Sequence, residues 1–211
     1  MCTRYYIEKD APELEEIVRG VEKSLLADRF HHKMSGAILT EGEIGPMSIA
    51  PVLASNKNGK RTSFPMKWGF EVGAKLHGQE KSNIVFNART ETASQKPSFA
   101  DSWRSRRCIV PASWYYEWEH FTDSSGNPKT GTRYCFQPRG QTVVWLCGLY
   151  KMVDDLPYFV ILTRAPTAEL ATIHDRMPLI LPENRIDDWI DPEKDPRKLL
   201  KDADTDLVYW K

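Results

Sequence analysis

No apolar run in this 211-residue sequence approaches the ~18 residues that a membrane-crossing helix needs, so no span is expected. Net charge is missing too, because 29 Lys and Arg balance 29 Asp and Glu. Bulk electrostatics therefore makes no case for nucleic acid, and any anion site must be a local cluster. The four cysteines, Cys2, Cys108, Cys135 and Cys147, form no CxxC pair and no zinc-ligand spacing. His31-His32 lies far from all of them and reads as an exposed pair, so neither a metal nor another cofactor is expected. The chain turns charged at once (Arg4, Glu8, Lys9, Asp10), which is not a signal-peptide pattern. Reduced thiols and a cytoplasmic setting follow as expectations. Internal repeats, low-complexity tracts and linkers are absent as well, which favours one domain over 1–211.

What the sequence does have is aromatic residues, with seven Trp and eight Tyr, more than enough for a large core and for stacking surfaces. Thr3 to Ile7 reads as a strand. A helix follows, with Asp10 and Glu13 as a capping box and Leu14, Ile17, Val18, Val21 and Leu25 at helical spacing, covering a sheet. Phe30 to Gly45 shows no period and reads as a long loop, and a second loop is expected between Gly69 and Asn83 around Gly73 and Gly78. Strand-like runs occupy Met47 to Leu53, Ser63 to Trp68, Ile84 to Phe86, Cys108 to Val110, Trp114 to Glu119, Tyr134 to Gln137, Val143 to Leu149 and Tyr158 to Thr163. Asn56 to Arg61 reads as a hairpin turn, and Asp123 to Pro128 as a loop between strands. Short helices are expected at Glu91 to Lys96, Asn184 to Ile190 and Pro196 to Lys201, with further strands at Leu179 to Leu181 and Leu207 to Trp210. Many strands and few helices predict an α+β fold, mainly antiparallel and barrel-like, with peripheral helices.

Four stretches carry polar chemistry. Cys2 becomes the terminal residue once Met1 is removed, a step that a small second side chain permits. Its α-amine and thiol then sit on adjacent carbons and can close a thiazolidine ring on one aldehyde carbon; chance alone also explains a cysteine there. Asn87-Ala88-Arg89-Thr90-Glu91-Thr92 leaves a strand with an Asn and an Arg able to orient a carbonyl and bind an anion, or simply to form a turn. In Trp114 to Glu119, alternation puts Tyr115, Glu117 and Glu119 on one face and Trp114, Tyr116 and Trp118 on the other. Glu117 is then either a partly desolvated general acid/base with a raised pKa or part of an exposed acidic face. Ile173-His174-Asp175-Arg176-Met177-Pro178 offers a proton shuttle in His174, its surroundings set by Asp175 or Arg176. The cluster Arg104-Ser105-Arg106-Arg107 reads as solvated surface or as a phosphate contact.

Taken jointly, these pieces resemble one family. Met1-Cys2 with Arg4, Trp68-Gly69, NARTET at 87–92, CIVPASWYYEW at 108–118, Thr163 and IHDRMPLIL at 173–181 are similar, in order, to the SRAP (SOS response-associated peptidase) abasic-site processing proteins. The resemblance spans nearly the whole chain. It implies a nucleophilic Cys2 that bonds to the ring-opened aldehyde of an abasic site in single-stranded DNA, with Asn87, Glu117 and His174 completing the site. It also implies DNA contacts from Arg4, Trp68, Arg89, Thr163 and Arg176, peptidase activity confined to the protein's own N-terminus, and a monomer that joins the nucleoid during repair. The family's usual Gly after the nucleophile is Thr3 here, a family Asn is replaced by Ser48, and the Pro-Trp stretch after Trp68-Gly69 is replaced by Phe70 to Leu76. Two other function classes fit the same residues. One is a thiol peptidase using Cys2, His174 and Asn87 in papain-like roles; the other is a non-catalytic reader that stacks bases on Trp and Tyr.

Overall fold

The computed structural model describes residues 2–8, 10–34, 36–76 and 79–211, and the side chains of 74–82 are left aside. Met1 and Gly78, both invoked above, lie outside the described residues. The strands in chain order are β1 Arg4–Ile7, β2 Gly42–Ile44, β3 Ile49–Ser55, β4 Arg61–Trp68, β5 Phe70–Leu76, β6 Gln79–Val85 and β7 Asn87–Arg89. They continue as β8 Arg107–Ala112, β9 Trp114–Thr122, β10 Pro128–Pro138, β11 Val144–Val153, β12 Leu156–Arg164, β13 Met177–Pro178 and β14 Leu207–Trp210. The helices are α1 Pro12–Glu22, α2 Leu25–Met34, α3 Thr90–Ala93, α4 Ala100–Ser105 and α5 Ile186–Ile190, with 3-10 turns at Leu170–Thr172, Glu183–Arg185 and Pro196–Asp202.

Five strands close on themselves in the order β11-β8-β3-β4-β12 and back to β11. The β4–β12 pair is parallel (Phe159 opposite Trp68), and the other four pairs are antiparallel. Closure removes exposed sheet edges, and every residue of β8 is buried. Short β7 and β13 add to β12, where Thr163 pairs with Arg89 on one side and Pro178 on the other. A second sheet, β14-β10-β9-β1-β2, turns Tyr5, Ile7, Tyr115 and Phe136 inward to the same core as the barrel. The chain crosses from barrel to sheet at Ser113, whose N–H donates to the Tyr6 carbonyl at 2.7 Å and whose hydroxyl accepts from Glu8 N–H at 2.8 Å. The expected α+β, mainly antiparallel, barrel-like fold is the one observed.

Several local expectations need correction. The stretch Phe30 to Gly45 is not a loop throughout, since α2 runs to Met34 and β2 begins at Gly42. Only Ala27 and Phe30 of α2 are buried, too few positions for a readable period. Leu25 belongs to α2 and is 82% exposed, so it does not extend the apolar stripe of α1. The expected loop from Gly69 to Asn83 contains the hairpin β5–β6, in register from Phe70 opposite Val85. The capping box fails: α1 starts at Pro12 without a side-chain cap, and Glu13 instead accepts from the Thr142 hydroxyl at 2.8 Å. The helix at 91–96 is the single turn α3, α4 was unforeseen, and 196–202 is 3-10. The expected strand at 179–181 is reduced to β13 and a bridge between Leu146 and Ile180.

The basic cluster is divided. Arg104 and Arg106 are exposed, whereas Arg107 is 1% exposed. Its guanidinium donates to the carbonyls of Trp103 (3.0 Å), Arg104 (2.6 Å), Trp189 (2.6 Å), Lys194 (3.0 Å) and Asp191. A buried cation must have its donors satisfied, and here the carbonyl ends of α4 and α5 supply the acceptors. Arg107 therefore ties the C-terminal segment to the barrel and is not a phosphate contact.

Candidate active site

Cys2 sits just ahead of β1, fully buried, with its thiol donating to the Arg4 carbonyl at 3.6 Å. Strand β1 pairs with β9 so that Arg4 faces Tyr116 and Tyr5 faces Tyr115. Continuing that register brings Thr3 opposite Glu117. Alternation turns Glu117 inward with Tyr115, where it is 3% exposed. Desolvation raises its pKa to about 7.

Asn87 opens β7, held parallel to β12 opposite Ile161. Its amide Nδ2 donates to the Cys2 carbonyl at 3.0 Å, and its buried Oδ1 has no donor among the described residues. His174 follows the 3-10 turn at 170–172 and is 5% exposed; its Nε2 lies 3.7 Å from Glu117 Oε2. The buried Cys2, Glu117 and His174 and the half-buried Asn87 thus lie together beside the start of β1.

The protonation states follow from burial. Desolvation pushes the Cys2 thiol up, and the charge of Glu117 adds to the effect, so the sulfur is held as a thiol and needs a base. Burial, with help from the positive chain terminus and from His120, lowers the His174 pKa to about 4. Two contacts at its Nδ1 make opposite demands: the Arg176 N–H donates to it at 3.0 Å, and Asp175 Oδ1 also lies at 3.0 Å. In a neutral ring the Arg176 amide takes the Nδ1 lone pair, which leaves the proton on Nε2 toward Glu117. Asp175, 79% exposed, can turn to water. The group whose pKa lies near neutrality is thus Glu117, which matches the desolvated alternative given for it in the sequence and not the exposed acidic face, whereas His174 is held neutral.

The five expected DNA contacts fare unequally. Arg89 is exposed, and Arg4 is 39% exposed while pairing with Glu43 at 3.1 Å. Arg176 is 11% exposed and spends its fork on Glu91, at 2.8 Å for each of two bonds, and on the Thr163 carbonyl at 2.8 Å. Trp68 and Thr163 are fully buried. The indole of Trp68 donates to the Phe86 carbonyl at 2.9 Å and packs on Tyr5 and Phe159, and the Thr163 hydroxyl lies 3.5 Å from the Ala88 carbonyl. Both lie on barrel strands with no exposed surface, so neither offers a face to a DNA strand.

Two neighbours escaped the sequence reading. Glu91 bridges the Asn87 and His174 segments through Arg176, and its pKa is drawn down to about 2 by that hydrogen bond. The exposed ring of His120 lies over His174, with centroids 4.3 Å apart. Its only sequence signal is its place on β9 three residues after Glu117.

The family model for SOS response associated peptidase (SRAP) matches residues 1–211. The chain belongs to the SRAP family. Among relatives of this SRAP chain, abasic site processing protein YoqW of Bacillus subtilis (strain 168) is 31% identical over 182 residues, covering 80% of this chain and 79% of that protein. Abasic site processing protein YedK of Escherichia coli (strain K12) is 27% identical over 158 residues, 71% of this chain and 66% of its own length. Among solved structures, a Bacteroides thetaiotaomicron protein superposes with a TM-score of 0.72 at 20% identity, covering 99% of this chain and 91% of that one. That likeness concerns the fold alone. Among the described residues of this SRAP domain, no group of three or more His, Cys, Asp and Glu could hold a metal ion, and no helix is long and apolar enough to cross a membrane.

Proposed function

We propose that this protein captures abasic sites in single-stranded DNA covalently, through the α-amine and thiol of Cys2 once Met1 is removed. The observation that carries the reading is the convergence of Cys2, Asn87, Glu117 and His174 in one buried site. The relatives named as abasic site processing proteins support it.

Each group has a task its environment suits. Asn87 holds the Cys2 carbonyl, and its Oδ1, which has no donor among the described residues, accepts an N–H of the new α-amine. The neutral amine attacks the aldehyde carbon C1′ of the ring-opened sugar and forms a carbinolamine. Glu117, protonated near neutrality, gives its proton to the hydroxyl, which leaves as water and creates an iminium. The resulting carboxylate takes the thiol proton as sulfur bonds to the same carbon, and the iminium electrons return to nitrogen. Glu117 ends as it began, and the thiazolidine equals protein plus aldehyde minus one water. His174, neutral, contributes a hydrogen-bond donor at Nε2 that steadies the Glu117 carboxylate or a sugar oxygen. The exposed guanidiniums of Arg4 and Arg89 are the phosphate contacts. Removal of Met1 by the protein itself belongs to the same proposal: the Cys2 sulfur, its proton taken by Glu117, attacks the preceding carbonyl, the Met1–Cys2 amide breaks to free the α-amine, and water hydrolyses the resulting thioester, releasing Met1 and restoring the thiol.

A papain-like peptidase is less well supported, because a thiolate–imidazolium pair needs a lowered cysteine pKa and this one is raised. The test is to incubate Met1-free protein with an oligonucleotide bearing one abasic site and to weigh the product. We expect the sum of the two masses less one water, and no adduct with Cys2→Ala. An adduct that survives Cys2→Ala overturns the cysteine mechanism, and peptide turnover without any adduct restores the peptidase reading.

A further inference from the structure

The outer end of β9 lies beside the catalytic histidine. The His120 N–H donates to the Ile173 carbonyl at 2.9 Å, so the strand is laced to the segment that carries His174. The same residue lays its ring over that of His174, with centroids 4.3 Å apart and planes tilted by 48°. His174 is buried and His120 is exposed, so the second imidazole covers the solvent side of the first. On its other side His174 faces Glu117.

We propose that His120 is a positioning residue: its ring, tilted against that of His174, disfavours protonation of the buried imidazole and keeps its Nε2 proton directed at Glu117. Two imidazolium rings in contact repel, and at about 4 Å the repulsion is worth roughly 1 kcal/mol even in water. The lowered pKa of His174, to which His120 contributes, agrees with this arrangement. The other charged groups facing His174 are Glu117 across from Nε2, Asp175 and Arg176 from its own segment, and the chain terminus. Among the described residues, His120 is the one of these whose ring packs against that of His174. A protonated His174 would hold Glu117 as the carboxylate and remove the acid that dehydrates the carbinolamine. The purpose assigned to His120 rests on the proposed reaction; its effect on His174 does not.

The test has an arm independent of activity. In NMR titrations, the imidazole C–H resonances of His174 report its midpoint in the wild type and in His120→Phe, which keeps an aromatic ring at that place but cannot take up a proton. We expect the midpoint in His120→Phe to rise by roughly half a unit to one unit. An unchanged midpoint overturns the proposal. In the second arm, the acidic limb of the cross-linking rate should move up in pH with that midpoint in His120→Phe and stay in place in His120→Lys. If the wild type forms no cross-link, the reaction reading fails while the titration still decides the role of His120.

Discussion

Asn87 donates its side-chain amide to the main-chain carbonyl of Cys2 at 3.0 Å across 85 residues of sequence. This bond joins the start of the chain to the short strand added at the barrel's edge. It sets the direction in which the atoms of residue 2 point. Net hydrogen-bond contributions run to about 1 kcal/mol, so Asn87→Ala should slow cross-linking to abasic single-stranded DNA roughly fivefold or more. The check is the initial rate by gel shift under denaturing conditions, with the thermal midpoint as a control for folding. A rate equal to wild type would remove Asn87 from the site.

Glu117 and His174 pull the pH dependence of stability in opposite directions. The Glu117 pKa is raised to about 7 in the folded state, so between ~4.5 and ~7 the native form holds the extra proton and stability falls as pH rises. The His174 pKa is lowered to about 4, so between ~4 and ~6.5 the unfolded form holds the extra proton and stability rises with pH. The two slopes offset one another near pH 5–6. Urea titrations of Glu117→Gln should expose the His174 rise alone, and those of His174→Phe the Glu117 fall alone. We also expect Glu117→Gln to be more stable than wild type at pH 8, by about 1–3 kcal/mol, and slower to cross-link.

Trp68 is a core residue, and its replacement should behave accordingly. Trp68→Ala should cost about 3–5 kcal/mol in chemical denaturation, because it opens a cavity against Tyr5 and Phe159 and strands the Phe86 carbonyl. Trp68→Phe keeps most of the volume and should leave affinity for undamaged single-stranded DNA unchanged. Fluorescence anisotropy with a labelled oligonucleotide checks this; a tenfold loss of affinity in a folded Trp68→Phe protein would return the indole to the DNA surface.

The Glu91–Arg176 fork should appear as an acid-labile increment of stability. Its carboxyl is drawn down to about 2, so the increment is present above ~4.5 and lost as pH falls toward 2. Because Glu91 is 47% exposed, solvent screening limits the amount to about 1 kcal/mol. Thermal midpoints measured between those pH values should fall less steeply for Glu91→Gln than for wild type. Equal slopes would show that the pair contributes nothing.

Local chemistry was readable from the residues themselves. Period-two alternation in Trp114 to Glu119 put Glu117 on the same face as Tyr115, without telling whether that face is buried, and apolar, β-branched runs marked the barrel strands, because both signals are repeated within a few residues. The ordered motifs around Cys2, Asn87, Glu117 and His174 marked the site for a similar reason: each is a short, local pattern. The hairpin β5–β6 and helix α2 were missed because neither carries a clear period. What only the tertiary structure decided is which polar and aromatic groups lose their water. Trp68, Thr163 and Arg107 look equally available in sequence, yet packing among distant segments buries all three. The lowered pKa of His174, which leaves Glu117 as the group that titrates near neutrality, and the ring of His120 beside His174 likewise depend on burial and on contacts between segments far apart in the chain. Desolvation is a property of position in the fold, and no local pattern records it.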